Sequence, residues 1–88
     1  MERLSMTVID SIGVHAKVAA NIVNIASQYE SDIYIVHNNE RANMKSILNI
    51  LALGIATNEK IEIEIIGSDE VIAAQGIFNY LTNNKITR

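Results

Sequence analysis

The chain predicts an α/β (α+β) fold: an open-faced β-sandwich whose four-stranded antiparallel sheet carries three helices on one face, in the order βαββαβα. Three observations point to it. Ile61-Glu62-Ile63-Glu64-Ile65 alternates strictly, the mark of a strand with one dry and one wet face. Between Ala16 and Tyr29, apolar residues recur at spacings of three and four, the mark of a helix with one buried face. His37-Asn38-Asn39-Glu40 reads as a tight turn, because asparagine tolerates positive φ. Strands with one wet face belong to antiparallel sheets, so the helices must cover the other face.

Taken in order, Met1 to Asp10 is a half-buried strand, with Leu4, Met6 and Val8 on one side and Arg3, Ser5 and Thr7 on the other. Asp10-Ser11-Ile12-Gly13 is a loop. The first helix follows, with Val18, Ile22, Ile25 and Tyr29 inward and Asn21, Asn24 and Gln28 outward. Ile33 to Val36 is the second strand, and Arg41 to Met44 completes a hairpin with it. Ser46 caps a short apolar helix, Ile47 to Leu53, which stops at Gly54. After the alternating strand, Gly67 to Glu70 leads into a last helix, Val71 to Leu81. There Val71, Ala74, Phe78 and Leu81 are expected inward, and Ile72, Gln75 and Asn79 outward. The polar tail from Thr82 to Arg88 is expected to fray.

Composition narrows the function. Residues 1–88 are expected to form a single domain, and half of them are apolar, which argues against disorder. No apolar run reaches the length of a membrane span, and Met1-Glu2-Arg3-Leu4-Ser5 has neither an h-region nor a cleavage site, so a cytoplasmic protein without membrane insertion is expected. Cysteine is absent, which excludes disulfides and thiol chemistry. A net charge of −3 and few aromatics argue against a direct nucleic-acid partner. His15 and His37 have no cysteine or carboxylate at metal-like spacing, so no metal or other cofactor is expected. His37 reads as a solvated turn residue, and Glu62 and Glu64 as a solvated strand face.

His15 is the main candidate for chemistry. It follows Gly13, opens an amphipathic helix and precedes Lys17. It could simply cap or fill the helix start. Equally, the first N–H groups of a helix have no internal partner, and with the helix dipole they form an anion site. A free imidazole titrates at about 6.5, so a neutral ring can act as a nucleophile near neutral pH. The N–H groups of Ala16 and Lys17 could then receive phosphoryl oxygens, with the lysine ammonium as a point charge. Ser46 is the second candidate. A phosphate there would gain from the helix end rather than unfold it, and would repel an acidic partner from Ile47, Leu48 and Leu51. Those three residues are core, or partly an exposed docking patch.

Gly13-Val14-His15-Ala16, then Asn43-Met44-Lys45-Ser46-Ile47-Leu48 and Leu53-Gly54, resembles the HPr family of histidine phosphocarriers over nearly the whole chain. The resemblance implies a four-stranded antiparallel sheet under three helices. It also implies a phosphoryl relay from enzyme I, onto the Nδ1 of His15, to enzyme IIA proteins of sugar uptake. Further partners implied are an HPr kinase/phosphorylase acting on Ser46 and a catabolite-control transcription factor that binds the modified form. Two places depart from the family pattern. Arginine and proline usually follow the small residue after the histidine, and here Lys17 and Val18 stand there. Lysine keeps the charge but loses the bidentate fork, and valine loses proline's preset φ. That leaves an alternative: a regulatory paralogue signalling through phospho-Ser46 without efficient histidine relay.

Overall fold

The computed structural model describes all 88 residues, Met1–Arg88. Its elements are β1 (Glu2–Thr7), α1 (Ala16–Ala26), β2 (Asp32–His37), β3 (Glu40–Asn43), α2 (Ile47–Ala52), β4 (Lys60–Ile66) and α3 (Glu70–Asn83). The four strands form one antiparallel sheet in the order β1-β4-β2-β3. β1 and β2 both run against β4 and are therefore parallel to each other. A parallel pair needs a long crossover, and α1 supplies it.

Alternation sorts the strands into two faces. Ile33 and Ile35 stand opposite Ile65 and Ile63, and these β-branched pairs build the buried face. Val18, Ala19, Ile22, Ile25 and Ala26 of α1, Ile50 of α2, and Ala73, Ala74, Ile77 and Leu81 of α3 close over it in one cluster of 22 buried residues. On the open face Glu64 sits between two arginines, 3.2 Å from Arg3 and 3.3 Å from Arg41. The Arg41 guanidinium lies 3.6 Å from the centre of the Tyr34 ring. Glu62 is thus exposed on the open face, as the alternation predicts, whereas the Glu64 side chain is mostly covered by the two arginines. Asn38 and Asn39 turn the β2–β3 hairpin with φ of 50° and 65°. No helix is long and apolar enough to cross a membrane.

Five details differ from the sequence expectation. The β1 ladder stops at Thr7, because Val8 leaves β4 to bridge Thr87 while its N–H donates to Glu59 O. α1 stops at Ala26, and its last turn tightens into i→i+3 bonds through Gln28 and Tyr29. Tyr29 there meets α3 at Gly76, where a Cβ would lie 1.9 Å from its hydroxyl. The inward face of α3 is rotated: Ala73 and Ile77 are buried, while Val71 and Phe78 are 65% and 45% exposed. Two adjacent alanines let the helix lie close to the sheet and push the larger side chains to its flanks.

The remaining two concern the tail and His37. The tail does not fray, since Ile86 and Thr87 are buried and the main chains of Thr7 and Arg88 exchange two hydrogen bonds. His37 is buried, not solvated. It continues the inward alternation of Ile33 and Ile35, and its Nε2 lies 2.9 Å from Glu59 Oε1. A second hydrogen bond, 2.7 Å from the Ala56 N–H, and the His37 contact together hold the Glu59 carboxyl below its ordinary range.

Candidate functional site

The site is built by a loop that is pinned before the helix begins. Asp10 starts it with an Asx turn: its Oδ1 accepts the Ile12 N–H at 3.0 Å, and its carbonyl accepts the Gly13 N–H at 2.9 Å. Gly13 adopts φ +84° and lies flat against the segment after α2. A Cβ there would be 2.7 Å from Ile55 O and 3.0 Å from both Ala56 Cα and Thr57 N, so only glycine fits. The next N–H, of Val14, donates to the same Ile55 carbonyl at 2.9 Å, and Val14 is buried. His15 therefore leaves a fixed point.

His15 occupies the N-cap of α1 with an extended backbone, and its side chain makes no capping hydrogen bond. Its carbonyl accepts the Ala19 N–H at 2.8 Å, which starts the helix. The N–H groups of Ala16, Lys17 and Val18 find no acceptor in the protein. With no side chain spent on capping, the helix start is left open to an anion. The imidazole is 34% exposed, and its Nε2 lies 3.6 Å from Asp10 Oδ1. Nδ1 is the ring nitrogen not paired with that carboxylate.

Around the ring lies an open cleft of about 410 Å³, lined by Asp10, Ser11, Ile12, His15, Lys17, Val18, Asn21, Asn84 and Ile86. Lys17 is exposed and makes no ion pair, so its charge is available to a guest. The structure thus brings together His15, Lys17 and the Ala16 N–H. It adds Asp10, Asn21, Asn84 and Ile86, which the sequence reading did not single out. The D-x-x-G spacing from Asp10 to Gly13 is the one local signal that marked a turn acceptor. Nothing local signalled that α3 and the tail would close the cleft.

Ser46 is not part of this cleft. It caps α2, accepting the Asn49 N–H at 3.3 Å. Lys45 beside it is turned away, with its ammonium 2.7 Å from Tyr29 O. Of the apolar residues after Ser46, Leu48 is 78% exposed, Ile47 is 39% exposed and Leu51 is half-buried against the core. Ile50, not singled out from sequence, is the α2 residue that is fully buried.

The model of the PTS-HPr family, the HPr component phosphorylation site of the phosphotransferase system, matches residues 3–83. The chain belongs to the HPr family. It is 36% identical over 77 residues to phosphocarrier protein HPr of Mycoplasma capricolum, spanning 88% of this chain and 86% of the relative. Its fold matches a solved mycoplasma histidine-containing phosphocarrier protein with a TM-score of 0.93, 31% identity and 99% coverage of both chains. It is also similar to the catabolite repression protein Crh of Bacillus subtilis, which was solved as a dimer with a swapped domain. That match has a TM-score of 0.74 and 26% identity over 84% of this chain and 85% of the other. HPr proteins are phosphocarriers of the phosphotransferase system and not catalysts, and the fold drawn from the sequence is the HPr fold.

Proposed function

We propose that this chain is a phosphocarrier in which His15 accepts a phosphoryl group from enzyme I and passes it to enzyme IIA proteins of sugar uptake. The observation that carries this reading is the half-exposed imidazole at an uncapped helix start, beside three amides without partners. In the transfer, the lone pair of Nδ1 forms a bond to phosphorus while the donor's bond to phosphorus breaks and the donor keeps that electron pair. The equatorial oxygens then lie where the Ala16 and Lys17 N–H groups and the Lys17 ammonium can hold them. A phosphohistidine so held stays reactive enough to be handed on. Ile47, Leu48 and Leu51 serve as the docking patch for these partners. The setting is a single cytoplasmic domain over residues 1–88.

Ser46 adds a regulatory site in this proposal. A kinase/phosphorylase would phosphorylate it, and the product would bind a catabolite-control transcription factor. A second reading makes that the whole function, with His15 vestigial. The similarity to Crh and the Lys17 and Val18 replacements favour it. One experiment separates the two. The chain is incubated with phosphoenolpyruvate and enzyme I, and separately with ATP and the kinase. An acid-labile adduct in the first reaction, lost in His15→Ala, supports the relay. An acid-stable adduct on Ser46 in the second reaction, with nothing in the first, supports the regulatory reading and overturns the relay.

A further inference from the structure

We infer that Asp10 is the positioning residue for the His15 ring: its carboxylate holds the Nε2 edge as the protonated one, so that Nδ1 carries the free lone pair. The inference rests on the relay reading for its consequence, but not for its geometry. Asp10 Oδ1 lies 3.6 Å from Nε2, just beyond hydrogen-bond length, so its pull on the Nε2 edge is electrostatic and becomes a hydrogen bond only if the two groups draw closer. The carboxylate is tethered on this side of the loop, because the same oxygen accepts the Ile12 N–H at 3.0 Å, while the Asp10 carbonyl accepts the Gly13 N–H at 2.9 Å and fixes the turn. The only other charged side chain lining the cleft is Lys17, whose ammonium cannot accept a ring proton; Asn21 and Asn84 are neutral. Asp10 is therefore the one charged acceptor offered to the imidazole.

The contact fixes which ring nitrogen carries the proton. A neutral imidazole has one N–H, and an acceptor beside one nitrogen selects the tautomer with the proton there. With the proton on Nε2, Nδ1 attacks phosphorus without first losing a proton. The N–P bond forms as the donor's bond to phosphorus breaks and the donor keeps that electron pair. Nε2 keeps its proton throughout, so the neutral ring becomes a phosphorylated imidazolium. Asp10 faces the new positive charge. When the group moves on, the Nδ1–P electrons return to the ring and the neutral tautomer is restored.

Three proteins test this: wild type, Asp10→Asn and Asp10→Ala. Asparagine keeps an oxygen for the Ile12 N–H and loses the charge, whereas alanine loses both. Ring 15N shifts of the unmodified proteins report the tautomer. Phosphorylation rates are read with enzyme I, and separately with phosphoramidate, a small donor whose P–N bond releases ammonia. The Nε2–H tautomer should dominate in wild type and fall in both variants. Both donors should react about two- to fivefold more slowly with Asp10→Asn, which is what a solvent-exposed ion pair contributes. An unchanged tautomer and unchanged rates in Asp10→Asn, with loss in Asp10→Ala alone, would reduce Asp10 to a turn residue and overturn the inference. Failure of wild type with both donors would sink the relay reading instead, and the 15N result would still decide the role of Asp10.

Discussion

Replacing Gly13 by alanine tests the link between fold and site. The position sits at φ +84°, where an L side chain costs about 1–2 kcal/mol. The new Cβ would press on Ile55 O, Ala56 Cα and Thr57 N at 2.7–3.0 Å, all backbone atoms that cannot rotate away. Overpacking of that kind costs roughly another 1–3 kcal/mol. Reduced freedom of the unfolded chain offsets about 0.4–1 kcal/mol. The net is about 1–4.5 kcal/mol, from a total near 4–13 kcal/mol for a chain of this size. Gly54→Ala is the control, because Gly54 is also left-handed at φ +62° but has nothing within 4 Å of its Cβ. That variant should lose only about 0–1.6 kcal/mol. Urea unfolding at fixed m-value measures both. The reasoning fails if the two variants are equally destabilised, since the tight seat on the Ile55–Thr57 segment then contributes nothing.

Further outcomes follow from other contacts. The Asp69 carboxylate accepts from the Ser31 hydroxyl and from the Glu30 and Ser31 N–H groups, and is held below its ordinary value of 3.8; Glu59 is held below 4.5 by Ala56 and His37. Lowered carboxyl values stabilise the fold above the unfolded values, so urea midpoints should hold from neutrality to about pH 5 and fall as pH drops through the folded values. Asp69→Asn should flatten part of that fall, and a pH-independent midpoint would contradict the assignment. Ile86→Ala should cost about 2–4 kcal/mol because the side chain is buried, whereas a fraying tail predicts no change in the same unfolding assay. Ser46→Ala should cost about 0.5–1 kcal/mol, the low end for a lost N-cap given the 3.3 Å bond, and a neutral result would show that Ser46 does not cap α2 in solution.

Local patterns carried the fold, and long-range contacts completed the site. The β4 alternation, the Asn-Asn turn and the Ser46 cap each depend on residues within one turn or strand, so they were legible. His37 was legible too, had the alternation of Ile33 and Ile35 been followed one step further. The face of α3 was ambiguous because Val71, Ile72, Ala73, Ala74, Ile77 and Phe78 leave apolar residues on most sides of the helix. The docking of the tail was not legible locally because its partners, Thr7 to Ile9, lie at the other end of the chain. Within the site, Gly13 and His15 announced themselves through a glycine before a helix start. Asp10 did not, because only the folded loop turns its carboxylate toward the ring.

The most direct test of the central claim is the 31P spectrum of the chain after reaction with phosphoenolpyruvate and enzyme I. The account requires one phosphoryl group per chain, bonded to Nδ1 of His15, disappearing on acidification or on addition of an enzyme IIA acceptor. A resonance that survives in His15→Ala, or a spectrum with no protein-bound phosphorus at all, would contradict it.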